Sequence, residues 1–179
     1  MKQIFTPFPT LYTRRLILRQ TTKEDCPDIY FLRSNEAVNK YIKRPIPKNI
    51  ADAKAFIQTI SEGIENDELL YWSICRKKDK KMIGSISLWK FSEDRKEAEV
   101  GYDLMPRFHH QGLMSEALNA VLNFGFEILG IEEILAFTDY RNERSKNLLL
   151  KNNFKLIEGR TDQDNSYNYV YGLKRENKM

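Results

Sequence analysis

Apolar positions alternate with polar ones in some stretches of the chain and recur every three or four residues in others, and the changes of period divide it into elements. From 98 to 105, Val100, Tyr102 and Leu104 alternate with Glu99, Gly101 and Asp103, which predicts a strand with one buried face that Pro106 ends. After the turn PRFHHQG, Leu113, Ala117, Leu118, Val121, Leu122, Phe124 and Leu129 keep helical spacing, and Gly130 supplies a C-cap. The other elements arrange around this strand, turn and helix.

Upstream, residues 1–13 read as an irregular arm and Leu16, Ile17 and Leu18 as a first strand. Thr22 with Asp25 three positions on makes a capping-box-like start to a helix through Asn35, with Pro27 tolerated in its first turn. The prolines of YIKRPIPKN interrupt the pattern, and a second helix is predicted over 51–65 with Ala55, Phe56, Ile60 and Ile64 on one face. YWSICRKK and KMIGSISLWKF then predict two strands joined by the polar turn KDKK, forming an antiparallel meander with the central strand. Downstream, Ile134 to Thr138 predicts a strand reached across a helix and therefore parallel to the one before it. A helix from 144 to 151 and strands around FKLIEG and YNYVYGLKR close the chain, with Asn153 suited to a left-handed C-cap.

The turn before Leu113 carries the first candidate chemistry. A helix start has backbone N–H groups without intrahelical partners and the positive end of the macrodipole, so a turn ending in Gly112 is a candidate anion cradle with phosphate as its guest.

Composition narrows the picture. With 179 residues, 41% of them hydrophobic, the chain suffices for one domain over 1–179 with its own core. The charge balance, 29 basic against 25 acidic residues, gives +4, which suits an anionic cofactor and falls short of a nucleic-acid footprint. Cys26 and Cys75 lack the spacing of a metal site or a disulfide framework, which fits a reducing compartment. Nowhere do eighteen apolar residues run together, so the expectation is a cytoplasmic protein with no membrane or nucleic-acid partner.

The turn HHQGLM, preceded by AEVGY and followed by SEA, resembles the signature of the GNAT N-acetyltransferases, Q/R-x-x-G-x-G/A. His109 stands at the Gln or Arg position, Gly112 at the central glycine and Met114 at the last small residue. The strings AEVGY, QGLMSEA and NERSKNLLLKNNF are most similar to the RimJ/RimL branch, which acetylates protein N-terminal amines. The resemblance implies an α/β (α+β) GNAT fold: a mixed, mostly antiparallel sheet of about seven strands flanked by about four helices. It also implies an N-acetyltransferase that uses acetyl-CoA without a metal, by direct attack of the amine on the thioester. The acceptor would be a protein N-terminal α-amino group or, alternatively, a small amine or antibiotic. A non-catalytic acyl-CoA sensor is the reading of another class, and the resemblance leaves monomer and homodimer both open.

Carried over residue by residue, the resemblance places backbone groups near Leu104 and Met105 along the pantetheine arm, with an amide near Asp103 or Leu104 polarising the thioester carbonyl. The amides of His110, Gln111, Gly112, Leu113, Met114 and Ser115 would surround the pyrophosphate, and Asn142 would help to hold the cofactor. Ser145 would protonate or orient the sulfur, while Leu149 stands where many relatives carry a tyrosine acid. Glu99 aligns with a general-base carboxylate; as a strand residue in the charged stretch SEDRKEAE it reads equally well as solvated. Asp103 shares its face by parity and would contact the acceptor or solvent. His109 and His110 lack a third ligand partner and read as cofactor-edge residues rather than a metal site.

Overall fold

The computed structural model describes residues 4–178. Among them, eight strands form one sheet in the order β1-β2-β3-β4-β5-β6-β8-β7: β1 Leu11–Tyr12, β2 Leu16–Gln20, β3 Leu70–Arg76, β4 Met82–Trp89, β5 Glu97–Leu104, β6 Glu133–Asp139, β7 Lys155–Thr161 and β8 Asn168–Lys174. Five α-helices accompany it: α1 Cys26–Ser34, α2 Glu36–Asn39, α3 Ile50–Glu65, α4 Leu113–Asn123 and α5 Glu143–Lys151. None is long and apolar enough to cross a membrane. The expected α/β architecture holds, with β5–β6 as the parallel pair that a helical crossover requires and the other pairings antiparallel.

The structure adds a strand and a helix to the expected count, each for a local reason. Leu11 and Tyr12 of the arm pair with Leu18 and Ile17, and the preceding residues are anchored: Phe5 is buried, and the Pro9 carbonyl accepts the Trp72 indole N–H at 2.7 Å. The helix expected to run through Asn35 breaks there instead, because extended Asn35 turns its side chain to accept from Val38 N–H at 3.1 Å and so caps α2. The buried face of α3 is Ala53, Ile57, Ile60 and Ile64; Ala55 is exposed, and Phe56 lies at the margin with its ring edge-on to Tyr71 at 5.8 Å. After α4 the chain makes one wide π turn, in which Leu129 N–H donates to the Phe124 carbonyl at 3.1 Å. Gly125 permits the close approach: a Cβ there would stand 3.0 Å from Ile134 Cδ1.

Strand alternation sorts the two faces of the sheet. Tyr71 meets Phe56 of α3, whereas its neighbour Trp72 meets Phe124 just beyond α4 at 5.9 Å, so α3 and α4 cover opposite faces. The α4 face is apolar, with Trp72, Ile74, Ile86, Leu88, Val100 and Leu104 buried. Its opposite is polar at the centre: Ser73 faces Ser85, and Ser85 faces Asp103. At one margin of that polar face, buried Asp25 takes both guanidinium nitrogens of Arg19 at 2.7 Å, the Thr22 amide at 2.9 Å and the Ser73 hydroxyl at 3.2 Å. The expected capping box is therefore also a tie between β2, α1 and β3.

One irregularity positions the site. The β5–β6 register ends at Glu99↔Leu135, while β6 stays paired with β8 as far as Asp139↔Asn168. From Val100 onward the two parallel strands separate, and β5 loses its neighbour on that side.

Candidate active site

The separation of β5 from β6 leaves specific backbone groups open. Met105 N–H donates to the Ile83 carbonyl at 2.9 Å, so by two-residue alternation Gly101, Asp103 and Met105 turn their amides to β4. The amides of Tyr102 and Leu104 therefore face the gap. Of the two residues expected along a pantetheine arm, Leu104 has its amide there, whereas Met105 is buried with its amide already used.

Two cavities meet at this strand end. A cleft of about 400 Å³ is lined by Leu104, His110, Gly112, Leu113, Met114 and Ser115 from one side and by Asn142, Arg144, Ser145 and Lys151 from the other. A larger cavity of about 860 Å³ has Glu99, Asp103, Ser85 and Ser87 on its floor and Arg33, Tyr41, Phe56 and Tyr71 in its walls. Tyr41, Ile42, Tyr102 and Asp103 line both.

In the cleft, Gly112 is the N-cap of α4 at φ +70, a left-handed conformation in which a Cβ is strained, and it offers no side chain to cap the helix. The amides of Leu113, Met114 and Ser115 are thus free of a side-chain cap at the positive end of the helix. Arg15 braces the turn from behind, with Nη1 on the Gln111 carbonyl at 2.9 Å and Nε on Glu116 at 2.7 Å. Gln111 itself is exposed, donates to the Arg107 carbonyl and does not line the cleft. The Ser115 hydroxyl pairs with the Asn152 side chain at 3.3 Å, which leaves its amide as the group facing a ligand.

Asn142 and Ser145 both line the cleft and also form a helix cap, since Asn142 Oδ1 accepts from Ser145 N–H at 3.2 Å. The Ser145 hydroxyl lies 2.8 Å from the Tyr102 hydroxyl. Leu149 is sealed in the core, and the phenol beside Ser145 is that of Tyr102 on β5. Burial pushes the Tyr102 phenol far above its usual range, and it stays protonated. Strand alternation assigned Tyr102 to the core; the gap beside β5 is what exposes its hydroxyl to α5. Arg144 and Lys151 were also missed. Their spacing of seven places them on one face of α5, a signal present in the sequence.

His109 has a defined tautomer. Arginine only donates, so Nδ1 accepts from Arg144 at 2.6 Å, and the proton sits on Nε2, which donates to the Leu104 carbonyl at 2.9 Å. Burial lowers its pKa, the Leu104 carbonyl partly offsets this, and Arg144 lowers it further, so the ring is neutral near pH 7. His109 thus occupies the Leu104 carbonyl and leaves the Leu104 amide open. His110 is exposed, left-handed at φ +59, and lines the cleft.

In the larger cavity, Glu99 is neither free in solvent nor isolated. Its side chain is 13% exposed and sits 3.2 Å from Lys90. Burial raises its pKa against the opposing pull of Lys90, so it holds a proton more readily than an ordinary glutamate. Glu97 instead pairs with Arg160 at 2.9 Å on the outside. Asp103 is buried and committed: Arg44 donates to it at 2.9 Å and Ser85 at 2.6 Å, while Arg44 also holds Asn39 and the Leu32 carbonyl. That network clamps the segment after α2 onto β5.

The family described as "Acetyltransferase (GNAT) domain" matches residues 15–155. Over 150 residues, covering 83% of this chain and 84% of the relative, the sequence is 36% identical to the uncharacterized N-acetyltransferase YoaA of Bacillus subtilis (strain 168). Among solved structures, a GNAT-family acetyltransferase from Bacillus anthracis superposes with a TM-score of 0.81 at 20% identity over 94% of this chain and 99% of that one. RimL, a ribosomal L7/L12 α-N-protein acetyltransferase in complex with coenzyme A, superposes with a TM-score of 0.80 at 18% identity over 93% and 98%. With most of its length matched by the family and its fold shared over most of the chain with solved structures, the chain belongs to the GNAT N-acetyltransferases.

Proposed function

We propose that this N-acetyltransferase uses acetyl-CoA and that its acceptor is a protein N-terminal α-amino group. The observation that carries the reading is the junction at Tyr102, where an anion-binding helix start and an open strand edge meet a separate cavity with Glu99 on its floor. The cleft suits coenzyme A in charge and shape: the amides of Gly112 to Ser115, with Arg144 and Lys151 nearby, fit a pyrophosphate, and the edge of β5 fits an amide-bearing arm. RimL, acting on an α-amine with the same fold, supports that acceptor class. Free, buried Cys26 and Cys75 support a reducing, cytoplasmic setting.

In the reaction, the amine nitrogen attacks the thioester carbon, and the Leu104 amide donates to the carbonyl oxygen as it gains negative charge. Before this attack Glu99 takes a proton from the substrate ammonium, directly or through water, which frees the nitrogen lone pair. The C–S bond breaks as the carbonyl re-forms, the surplus proton of the nitrogen passes through water to the thiolate, and the Ser145 hydroxyl, held 2.8 Å from Tyr102, orients the sulfur.

Incubation with acetyl-CoA and a panel of peptide N-termini, polyamines and aminoglycosides, read by thiol release and product mass, tests the acceptor. Binding is tested by stability: at about a hundredfold excess over Kd, acetyl-CoA should stabilise the fold by roughly 2.7 kcal/mol. No thermal shift in a folded sample would overturn the cofactor assignment. Gly112→Val should raise the Kd for coenzyme A at least about tenfold, because a β-branched residue resists a left-handed φ and the turn must shift. Calorimetric titration checks this, with circular dichroism to show an intact fold; an unchanged Kd would place the anion elsewhere.

A further inference from the structure

The larger cavity holds one cation whose chemistry the reaction does not use. Of the basic side chains lining it, Lys43 donates to the Asp164 carbonyl at 2.8 Å, Arg44 is held by Asp103, and Lys90 by Glu99. Arg33, on the last turn of α1, makes no hydrogen bond or ion pair through its guanidinium among the described residues; it lies over the Phe56 ring with Cζ 3.7 Å from the centroid. Stacking leaves the edge of a guanidinium free, and that edge carries the forked N–H donors that match a carboxylate or phosphate. The nearby carboxylate, Asp103, accepts hydrogen bonds from Arg44 and Ser85 and none from Arg33, although its charge favours the Arg33 cation. Burial and the neighbouring Arg44 disfavour the Arg33 charge more than Tyr71 and Asp103 favour it, a cost that a bound anion would relieve.

We infer that Arg33 is the anion-binding subsite of the acceptor cavity, and that the preferred acceptor carries a carboxylate or phosphate group besides its reactive amine. The inference rests on the reading of this cavity as the acceptor site. Glu99, at the far end of the same floor, is four residues from Asp103 along β5, or about 13 Å of extended strand. The amine and the anion of the acceptor therefore belong to opposite ends of one molecule. A peptide with an acidic side chain close to its N-terminus has that arrangement, and so does a small amino acid or amino phosphate of sufficient length.

The test compares matched acceptors: peptides differing only by Asp or Glu against Asn or Gln at the second and third positions, and small amino carboxylates and amino phosphates against their neutral counterparts. The acidic member of a pair should have a KM lower by about 10- to 100-fold, the scale of a desolvated hydrogen bond to a charged group. Arg33→Gln should bring the acidic-to-neutral ratio close to one, and Arg33→Glu should invert it, with thermal midpoints recorded for both variants. Preference confined to peptides identifies a peptide source; equal use of the small acids identifies a small-molecule source. Equal kcat/KM for acidic and neutral acceptors, or an Arg33→Gln loss shared equally by both, would overturn the inference. Calorimetric binding of the same peptides in the presence of CoA separates the two readings. Arg33-dependent acidic selectivity without turnover would overturn the acetyl-transfer reading and keep the subsite, whereas turnover without such selectivity would do the reverse.

Discussion

Glu99→Gln is expected to lower kcat about a hundredfold or more at neutral pH while barely changing the affinity for acetyl-CoA, the usual scale for loss of a positioned general base. The side chain lines the larger cavity and not the cleft proposed to hold coenzyme A, so that cleft is left unaltered. Because burial raises its pKa, the acid limb of the wild-type kcat/KM profile should lie above the ordinary glutamate value of about 4.3 and fall as pH drops through the raised value. The mutant should be rescued by alkali, since an already neutral amine needs no base. An α-amino acceptor, with a reference pKa of about 7.7–8.0, should recover at lower pH than a lysine at about 10.4. Wild-type kcat across the pH range would show that Glu99 only pairs with Lys90.

Asp25→Ala is expected to be the most damaging of these substitutions to stability, by about 3 kcal/mol, near the lower end for breaking a buried ion pair. Arg19 is partly exposed and can be rehydrated, which keeps the loss at that end, but the Thr22 amide and the Ser73 hydroxyl also lose their acceptor. For a chain of this length the melting midpoint should fall by roughly 6–12 °C. The pH dependence has a definite sign. Burial pushes the Asp25 pKa up, the hydrogen bonds from Arg19 and Thr22 outweigh it, and the folded value ends below the usual carboxylate range. The stabilisation is then fully present above about pH 4 and is lost as pH falls through the folded value, so wild type and mutant should converge in acid. Urea denaturation at pH 7 and pH 3 checks both statements; an unchanged midpoint at pH 7 would show that the tie between β2, α1 and β3 carries no stability.

Apart from β1 and the break that makes α2, the order of the elements is legible along the chain, because periods of two and of three to four residues are local properties that do not wait for packing. The left-handed turns at Gly112 and Asn153, with φ of +70 and +65, are legible for the same reason, because caps are likewise local chemistry. Tertiary structure decided which groups are available there. Alternation along β5 cannot show that β6 pairs only as far as Glu99, yet that ending frees the Tyr102 and Leu104 amides and brings the Tyr102 hydroxyl to Ser145. Partnership decided the charges in the same way. Asp103, Glu99 and Glu97 occupy alternating positions of one strand, but Arg44 from the α2–α3 loop, Lys90 after β4 and Arg160 on β7 give them three different fates. Those partners lie nine to 63 residues away in the chain, beyond the reach of any local pattern, and only packing the α1–α3 segment over the polar face of the sheet leaves Arg33 without one.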